Sequence, residues 1–157
     1  MEPSFAKLLA GLADYHVRFL VVGGVAVTLH GYVRLTEDVD ILLDPVEENI
    51  ARFLGCMAGF GEGFARELSV DDFDDAEGAI RIVEASEQIQ LDVFTRIRGL
   101  HYSDVITDAD SFELGTRIIR YASKASLIRW KEDSVREKDR LDAMALRQLS
   151  ANPQAFD

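Results

Sequence analysis

The sequence predicts an α/β (α+β) domain in which helices flank a mixed β-sheet. Short apolar runs of strand length alternate with segments whose apolar residues recur at helical spacing. Of the 157 residues, 48% are apolar and 29% are charged, a composition typical of a chain that buries a real core. Because no linker-like stretch divides the chain, residues 1–157 are expected to form one domain.

The first half of the chain alternates between helix and strand patterns. Helical spacing predicts a helix over residues 4–15, with Ser4 as its N-cap. The continuous apolar run 19–22 is typical of a strand buried on both faces, and a pair of glycines ends it. A short helix is predicted over 25–30 and a longer one over 47–59.

Two further strand patterns carry acidic residues. Residues 38–43 alternate, which places Asp38 and Asp40 on one face and apolar side chains on the other. Asp92 interrupts the apolar strand predicted over 88–94. If the strands are neighbours, the three carboxylates converge, and such hard oxygen ligands suit Mg²⁺ or Mn²⁺. The alternative interpretation is a solvated strand face.

The second half of the chain is predicted to hold an acidic loop, strands and then helices. The stretch 71–77 lacks the glycine and the distal glutamate of an EF-hand loop, so a solvated loop is expected there. Strands are predicted over 79–84 and 88–94, and another within 112–121. From residue 123 onward the pattern is helical.

The net charge of −11 argues against a protein that binds duplex nucleic acid over a broad surface, since such binding requires clustered Lys and Arg. The charge is uneven along the chain. Residues 61–116 carry four basic and fourteen acidic groups, whereas residues 117–157 carry nine and six. An anionic ligand is therefore expected near the C-terminal segment, although a solvated helix face would produce the same count.

The chain is expected to be cytoplasmic and to make no membrane contact. Its single cysteine, Cys56, excludes an intramolecular disulfide framework and suits a reducing compartment. The longest apolar runs are too short to cross a bilayer, and the first residues lack a secretory pattern. Cys56 lies on the apolar face of a predicted helix, so it is interpreted as a core thiol.

Gly23 and Gly24 lie between the buried strand and the short helix. In that position backbone N–H groups can hold a phosphate at the start of the helix. The pair fits neither the Walker loop nor the Gly-x-Gly-x-x-Gly motif. A tight turn in which only glycine fits explains it equally well.

In combination these features resemble the signature of the nucleotidyltransferase superfamily, which has the DNA-polymerase-β-like fold, and in particular its small stand-alone members related to AbiEii-type toxins. The signature is an apolar strand that ends in Gly-Gly, a short helix, Asp-x-Asp and a third Asp on a later strand. The matching residues are Gly23, Gly24, Arg34, Thr36, Asp38, Asp40 and Asp92, followed by Lys131, Arg136, Lys138, Asp139 and Asp142. The resemblance implies a catalytic core over about residues 17–95 and C-terminal helices over about 124–150.

The resemblance implies a nucleotidyltransferase that moves a nucleoside monophosphate from an NTP to an acceptor hydroxyl. Asp38, Asp40 and Asp92 would be the catalytic residues and would hold two ions of Mg²⁺, or alternatively Mn²⁺. The implied substrate-binding residues are Gly23, Gly24, Arg34 and Lys131. Arg34 would either contact the substrate or brace the Asp-x-Asp pair. Arg136 and Asp139 are expected instead to form ion pairs that hold the C-terminal helices against the sheet.

The resemblance leaves the acceptor open. In relatives it ranges from the tRNA 3′ end to a protein Ser or Tyr or a small molecule, and some relatives are toxins with an antitoxin partner. The expected partners are therefore an NTP, one such acceptor, and an antitoxin or a second copy of the chain. The alternative is a non-catalytic module that keeps the fold to bind a nucleotide or a protein. The presence of all three carboxylates and both glycines favours the enzyme.

The remaining candidates have structural interpretations. Trp130 could stack on a base, but core packing is the better interpretation. His16, His30 and His101 lie far apart without metal-ligand spacing, and His30 is expected to be structural.

Overall fold

A computed structural model of the chain describes residues 3–31, 38–61, 63–132 and 137–151. Its strands are β1 (Phe19–Val22), β2 (Val39–Leu43), β3 (Ile80–Glu84), β4 (Ile89–Phe94), β5 (Asp110–Leu114) and β6 (Arg117–Tyr121). Its helices are α1 (Pro3–Asp14), α2 (Gly23–Leu29), α3 (Glu47–Ala58), α4 (Tyr102–Val105), α5 (Lys124–Glu132) and α6 (Glu137–Ala151). The strands form one mixed sheet in the order β3-β4-β2-β1-β6-β5, which confirms the predicted fold class.

The central strands bring the ends of β1, β2 and β4 together. β1 is antiparallel to β2 and parallel to β6, and β2 is parallel to β4. All four residues of β1 are buried, which confirms a strand covered on both faces. The register pairs Val22 with Asp40 and Asp40 with Asp92. One row across the sheet therefore joins the carboxyl end of β1 to both acidic strands.

The core combines apolar residues of the helices with those of the sheet in one continuous cluster. Leu8, Leu9 and Leu12 of α1 are fully buried, as their helical spacing predicts, and Phe53 of α3 is fully buried as well. Asn49 at the start of α3 is also fully buried. Its side-chain amide donates to the carbonyl oxygens of Arg18 and Asp44, and its oxygen accepts the N–H of Arg18. These hydrogen bonds fix α3 to the segments that flank β1 and β2.

Three predictions about the elements are wrong in detail. Ser4 is not an N-cap, because α1 begins at Pro3, whose fixed φ suits the first helical position. The short helix begins at Gly23 itself rather than after the glycine pair. The single strand predicted within 112–121 is a hairpin of β5 and β6. Gly115, with φ of +65°, forms its two-residue turn with Thr116.

The acidic stretch 71–77 is exposed, as predicted, except for the buried ring of Phe73. Several of its acids have partners in the segment that follows β4. Glu77 accepts the backbone N–H groups of Arg98 and Gly99, and Asp75 forms an ion pair with His101. Within the described residues, no helix is long and apolar enough to cross a membrane.

Candidate metal centre

Three carboxylates meet on one face of the sheet, beside the carboxyl end of β1. Asp40 on β2 lies opposite Asp92 on β4, and Asp38 comes immediately before β2. One potential ligand oxygen from each carboxylate lies within 4.8 Å of the others. Among the residues that the structure describes, this is the one group of three or more potential metal ligands. The convergence that the sequence predicted for adjacent strands is confirmed.

The three carboxylates are poorly solvated. Asp92 is buried, and Asp38 and Asp40 are half-buried. Burial raises the pKa of Asp40 to about 7, and the charges of Asp38 and Asp92 add to the rise. Such crowding of like charges is unfavourable, and a divalent cation with oxygen ligands would relieve it. The donor set therefore fits Mg²⁺ or Mn²⁺.

Two polar side chains from β3 and β4 hold the carboxylates in place. Arg81 donates from Nε to Oδ1 of Asp92 at 3.0 Å and from Nη2 to Oδ2 at 3.3 Å. Gln90 donates from Nε2 to Oδ2 of Asp38 at 3.2 Å. Neither Arg81 nor Gln90 was predicted from the sequence as a site residue. Gln90 lies two positions before Asp92 and so shares its face, which was a usable signal. Arg81 had no such signal, because its place depends on the register of β3 against β4.

Gly23 brings the backbone into direct contact with the site. Its φ is +64°, a conformation that favours glycine. A Cβ atom added to Gly23 would lie 2.0 Å from Oδ2 of Asp40, which is far inside van der Waals contact. The interpretation of a turn in which only glycine fits is therefore supported at Gly23, and Asp40 is what requires it. Gly24 is buried in the first turn of α2.

Replacement of Gly23 by alanine is expected to displace the Asp40 carboxylate and to weaken Mn²⁺ binding by about tenfold or more. Backbone strain at positive φ adds a loss of stability of about 1–2 kcal/mol. Gly99→Ala is the matched control, because Gly99 has φ of +78° and no atom within 4 Å of an added Cβ. Calorimetric titration with Mn²⁺ and thermal unfolding measure the two effects. Equal Mn²⁺ affinities for the two variants would contradict the expectation.

Lys131 on α5 lies among acidic groups of α6 and close to the triad. Its Nζ lies 3.0 Å from Oδ2 of Asp142 and 3.3 Å from Oδ1 of Asp139. Its charge also lowers the pKa of Asp40, against the larger effect of burial. Asp139 forms an ion pair, as predicted, but the pair joins α5 to α6 rather than a helix to the sheet. The role of Lys131 as a phosphate contact stays a prediction.

Two predicted residues lie outside the described part of the chain. These are Arg34, predicted to contact the substrate or to brace the Asp-x-Asp pair, and Arg136, predicted to form an ion pair.

The other candidates have the structural roles that the sequence predicted. Trp130 is buried in the core. Cys56 is a buried free thiol whose pKa is raised by burial to about 11, so it stays protonated. His30 makes a 2.8 Å hydrogen bond from Nε2 to the carbonyl oxygen of Ala122 and packs edge-on against Tyr121.

No protein-family model matches this chain, and no curated protein matches it either. The fold and the site together define an α+β protein with a carboxylate triad beside a glycine turn.

Proposed function

We propose that this protein is a metal-dependent nucleotidyltransferase that moves a nucleoside monophosphate from an NTP to an acceptor hydroxyl. The observation that carries the proposal is the convergence of Asp38, Asp40 and Asp92, with ligand oxygens within 4.8 Å of one another. The order of elements supports it as well. A buried strand, a glycine turn, a short helix, the Asp-x-Asp pair and a later strand with a third Asp follow one another in the order of the nucleotidyltransferase signature.

The three carboxylates would hold the metal. Mg²⁺ and Mn²⁺ prefer carboxylate oxygens and keep open positions for substrate phosphates. When bound, such ions neutralise charge on a triphosphate and orient an acceptor oxygen for in-line attack. The acceptor oxygen forms a bond to the α-phosphorus as the bond to pyrophosphate breaks. A carboxylate oxygen of Asp92 would help to take the proton of the acceptor.

The chain itself would hold the triphosphate next to the carboxylates. The backbone of Gly23 contacts Asp40 without an intervening side chain, so a phosphate held by the amides of Gly23 and Gly24 would lie beside the metal. Lys131 adds a positive charge within electrostatic reach of Asp40. Arg34 remains a proposed substrate contact on the resemblance alone.

The acceptor and partners are proposed on the same resemblance. An RNA 3′ end, a protein hydroxyl or a small molecule each suits a chain whose net charge is −11 better than a duplex does. An antitoxin, a second copy of the chain and a cytoplasmic location belong to the same proposal.

One observation favours the alternative, a non-catalytic module for nucleotide or protein binding. Arg81 already contacts both oxygens of Asp92, and Lys131 lies near Asp40. The triad therefore has positive neighbours from within the chain. A protein that used this arrangement only for stability would need no metal.

A transfer assay separates the two proposals. The protein is incubated with Mg²⁺ and each α-³²P-labelled NTP, together with a tRNA pool and lysate protein. We expect label on one acceptor class with the wild type and none with an Asp38→Ala, Asp40→Ala double variant. An Asp71→Ala, Glu67→Ala variant, which removes two exposed acids, is the control. Equal labelling by the Asp38→Ala, Asp40→Ala variant and by the wild type would contradict the proposal that the protein is an enzyme. A wild type that shows neither label transfer nor Mg²⁺-dependent nucleotide binding would contradict it as well.

A further inference from the structure

Arg81 lies at the edge of the sheet, next to the buried acid of the triad. Strand β3 is the first in the sheet order, and its Arg81 pairs in register with Asp92 of β4. The two side chains differ in exposure, since 61% of the Arg81 side chain is exposed against 8% for Asp92. The guanidinium therefore reaches inward from solvent to a carboxylate that is almost fully enclosed.

The contact occupies both oxygens of Asp92. Nε and Nη2 of Arg81 lie 3.0 Å and 3.3 Å from Oδ1 and Oδ2. The hydrogen bond to Asp92 and the charge of Asp92 raise the pKa of Arg81, and the charges of Asp38 and Asp40 add to the rise. These two contacts make Arg81 the counterion of Asp92, the buried acid of the triad.

Among the residues that the structure describes, two cations lie beside the triad, Arg81 and Lys131, and they are held differently. Lys131 has a side chain that is 10% exposed, and it lies between two acids of another helix. Arg81 is largely in solvent, where its long side chain can turn away without leaving a cavity. A divalent ion bound at the triad would require an oxygen of Asp92 and would repel the guanidinium. Of these two described cations, Arg81 is therefore the one that can leave the triad.

We propose that Arg81 is the exchangeable counterion of the triad: it covers Asp92 in the metal-free protein, leaves Asp92 when a divalent metal binds, and then contacts the phosphates of the NTP. The inference rests on the proposed function. Once displaced, the guanidinium stays attached to β3 at the rim of the site, where the triphosphate is the anion within reach. A planar guanidinium with several N–H donors suits phosphate oxygens.

The test is Arg81→Gln, which removes the charge and keeps a shorter polar side chain. Titration with Mn²⁺ alone is expected to show affinity about three- to tenfold tighter than that of the wild type, because the metal no longer competes with the guanidinium for Asp92. Titration with a non-hydrolysable NTP analogue at saturating Mn²⁺ is expected to show affinity about three- to tenfold weaker. For Arg81→Lys, both affinities should lie between those of Arg81→Gln and those of the wild type. Arg52→Gln, which breaks an ion pair within α3, is the control and should match the wild type.

The opposite signs of the two effects distinguish counterion exchange from a structural role. Weaker Mn²⁺ binding by Arg81→Gln would mean that Arg81 only positions Asp92, and this would overturn the inference. Mn²⁺ binding that is unchanged in Arg81→Gln would overturn it as well, and an unchanged NTP affinity would overturn the phosphate contact. These results leave the proposed function standing. A wild type that binds no Mn²⁺ would overturn both, and circular dichroism establishes that each variant is folded.

Discussion

Replacement of Asp40 by asparagine is expected to stabilise the metal-free protein against heat while abolishing its binding of Mn²⁺. Burial and the charges of Asp38 and Asp92 raise the pKa of Asp40 to about 7, so its ionised form is unfavourable in the folded state. The amide of asparagine has nearly the same shape without the charge. Removing the charge should stabilise the fold at neutral pH by on the order of a few kcal/mol. For a domain of this size that corresponds to a rise of roughly 5–10 °C in the unfolding midpoint.

The pH dependence of this gain follows from the direction of the pKa change. Unfolded Asp40 releases its proton near its ordinary pKa of 3.8, whereas the folded protein keeps it up to about 7. Between these values the folded state binds more protons, so the stability contributed by protonated Asp40 is present at low pH and is lost as pH rises. The difference in the free energy of unfolding between Asp40→Asn and the wild type should therefore increase from about pH 4 to about pH 7 and then stay constant.

Calorimetric unfolding in EDTA over this pH range measures this difference. Asp71→Asn, at an exposed position, is the control and should match the wild type throughout. Added Mg²⁺ is expected to raise the unfolding midpoint of the wild type and to leave that of Asp40→Asn unchanged. A variant that is less stable than the wild type at neutral pH would contradict this account of the triad. A carboxylate cluster that lowers the stability of the folded protein is expected where the cluster serves a function.

Replacement of Lys131 by methionine is expected to destabilise the protein by on the order of a few kcal/mol, because it removes a cation that lies against a buried carboxylate. Asp142 is 1% exposed, and Nζ of Lys131 lies 3.0 Å from its Oδ2. Asp139 at 3.3 Å loses the same partner. Methionine keeps most of the unbranched side chain of lysine, so the loss of stability comes mainly from the loss of the charge. The pKa of Asp40 should also rise further, since Lys131 lowers it.

Urea unfolding of a double-mutant cycle tests this expectation. Lys131→Met combined with Asp142→Asn should recover much of the stability lost in Lys131→Met alone, because the buried charge is then also removed. Lys7→Met is the control, since Lys7 forms an exposed pair with Glu87 and should cost less than about 1 kcal/mol. A Lys131→Met variant within about 1 kcal/mol of the wild type would mean that the Asp142 carboxylate is satisfied by other groups.

Local sequence patterns predicted the elements that form the site. The continuous apolar run of β1 and the alternation of β2 and β4 are strong signals, and the structure confirms all three strands. Alternation also placed Asp38 and Asp40 on one face. It could not make β2 and β4 neighbours, because a parallel pair depends on a long connection rather than on local pattern. From the sequence, the carboxylates were expected to converge only if β2 and β4 were neighbours. The structure shows that these two strands are neighbours.

The partners of the acidic groups could not be predicted, because each depends on tertiary packing. Arg81 reaches Asp92 through the register of an edge strand, and Lys131 reaches Asp142 through the packing of two helices. Lys131 was predicted from the sequence as a phosphate contact, whereas its contacts with Asp139 and Asp142 were not predicted. The start of α2 at Gly23 was missed because positive φ is rare at the start of a helix, and the close approach to Asp40 that requires it is not local.

The central claim is that Asp38, Asp40 and Asp92 form a divalent-metal site that acts on an NTP. Crystals grown with Mn²⁺ and a non-hydrolysable NTP analogue test it most directly, through anomalous diffraction from manganese. We expect anomalous peaks about 2.2 Å from oxygens of all three carboxylates, with analogue phosphates on the same ions beside Gly23. Peaks confined to the exposed acids of 71–77, or none at the triad, would contradict the claim.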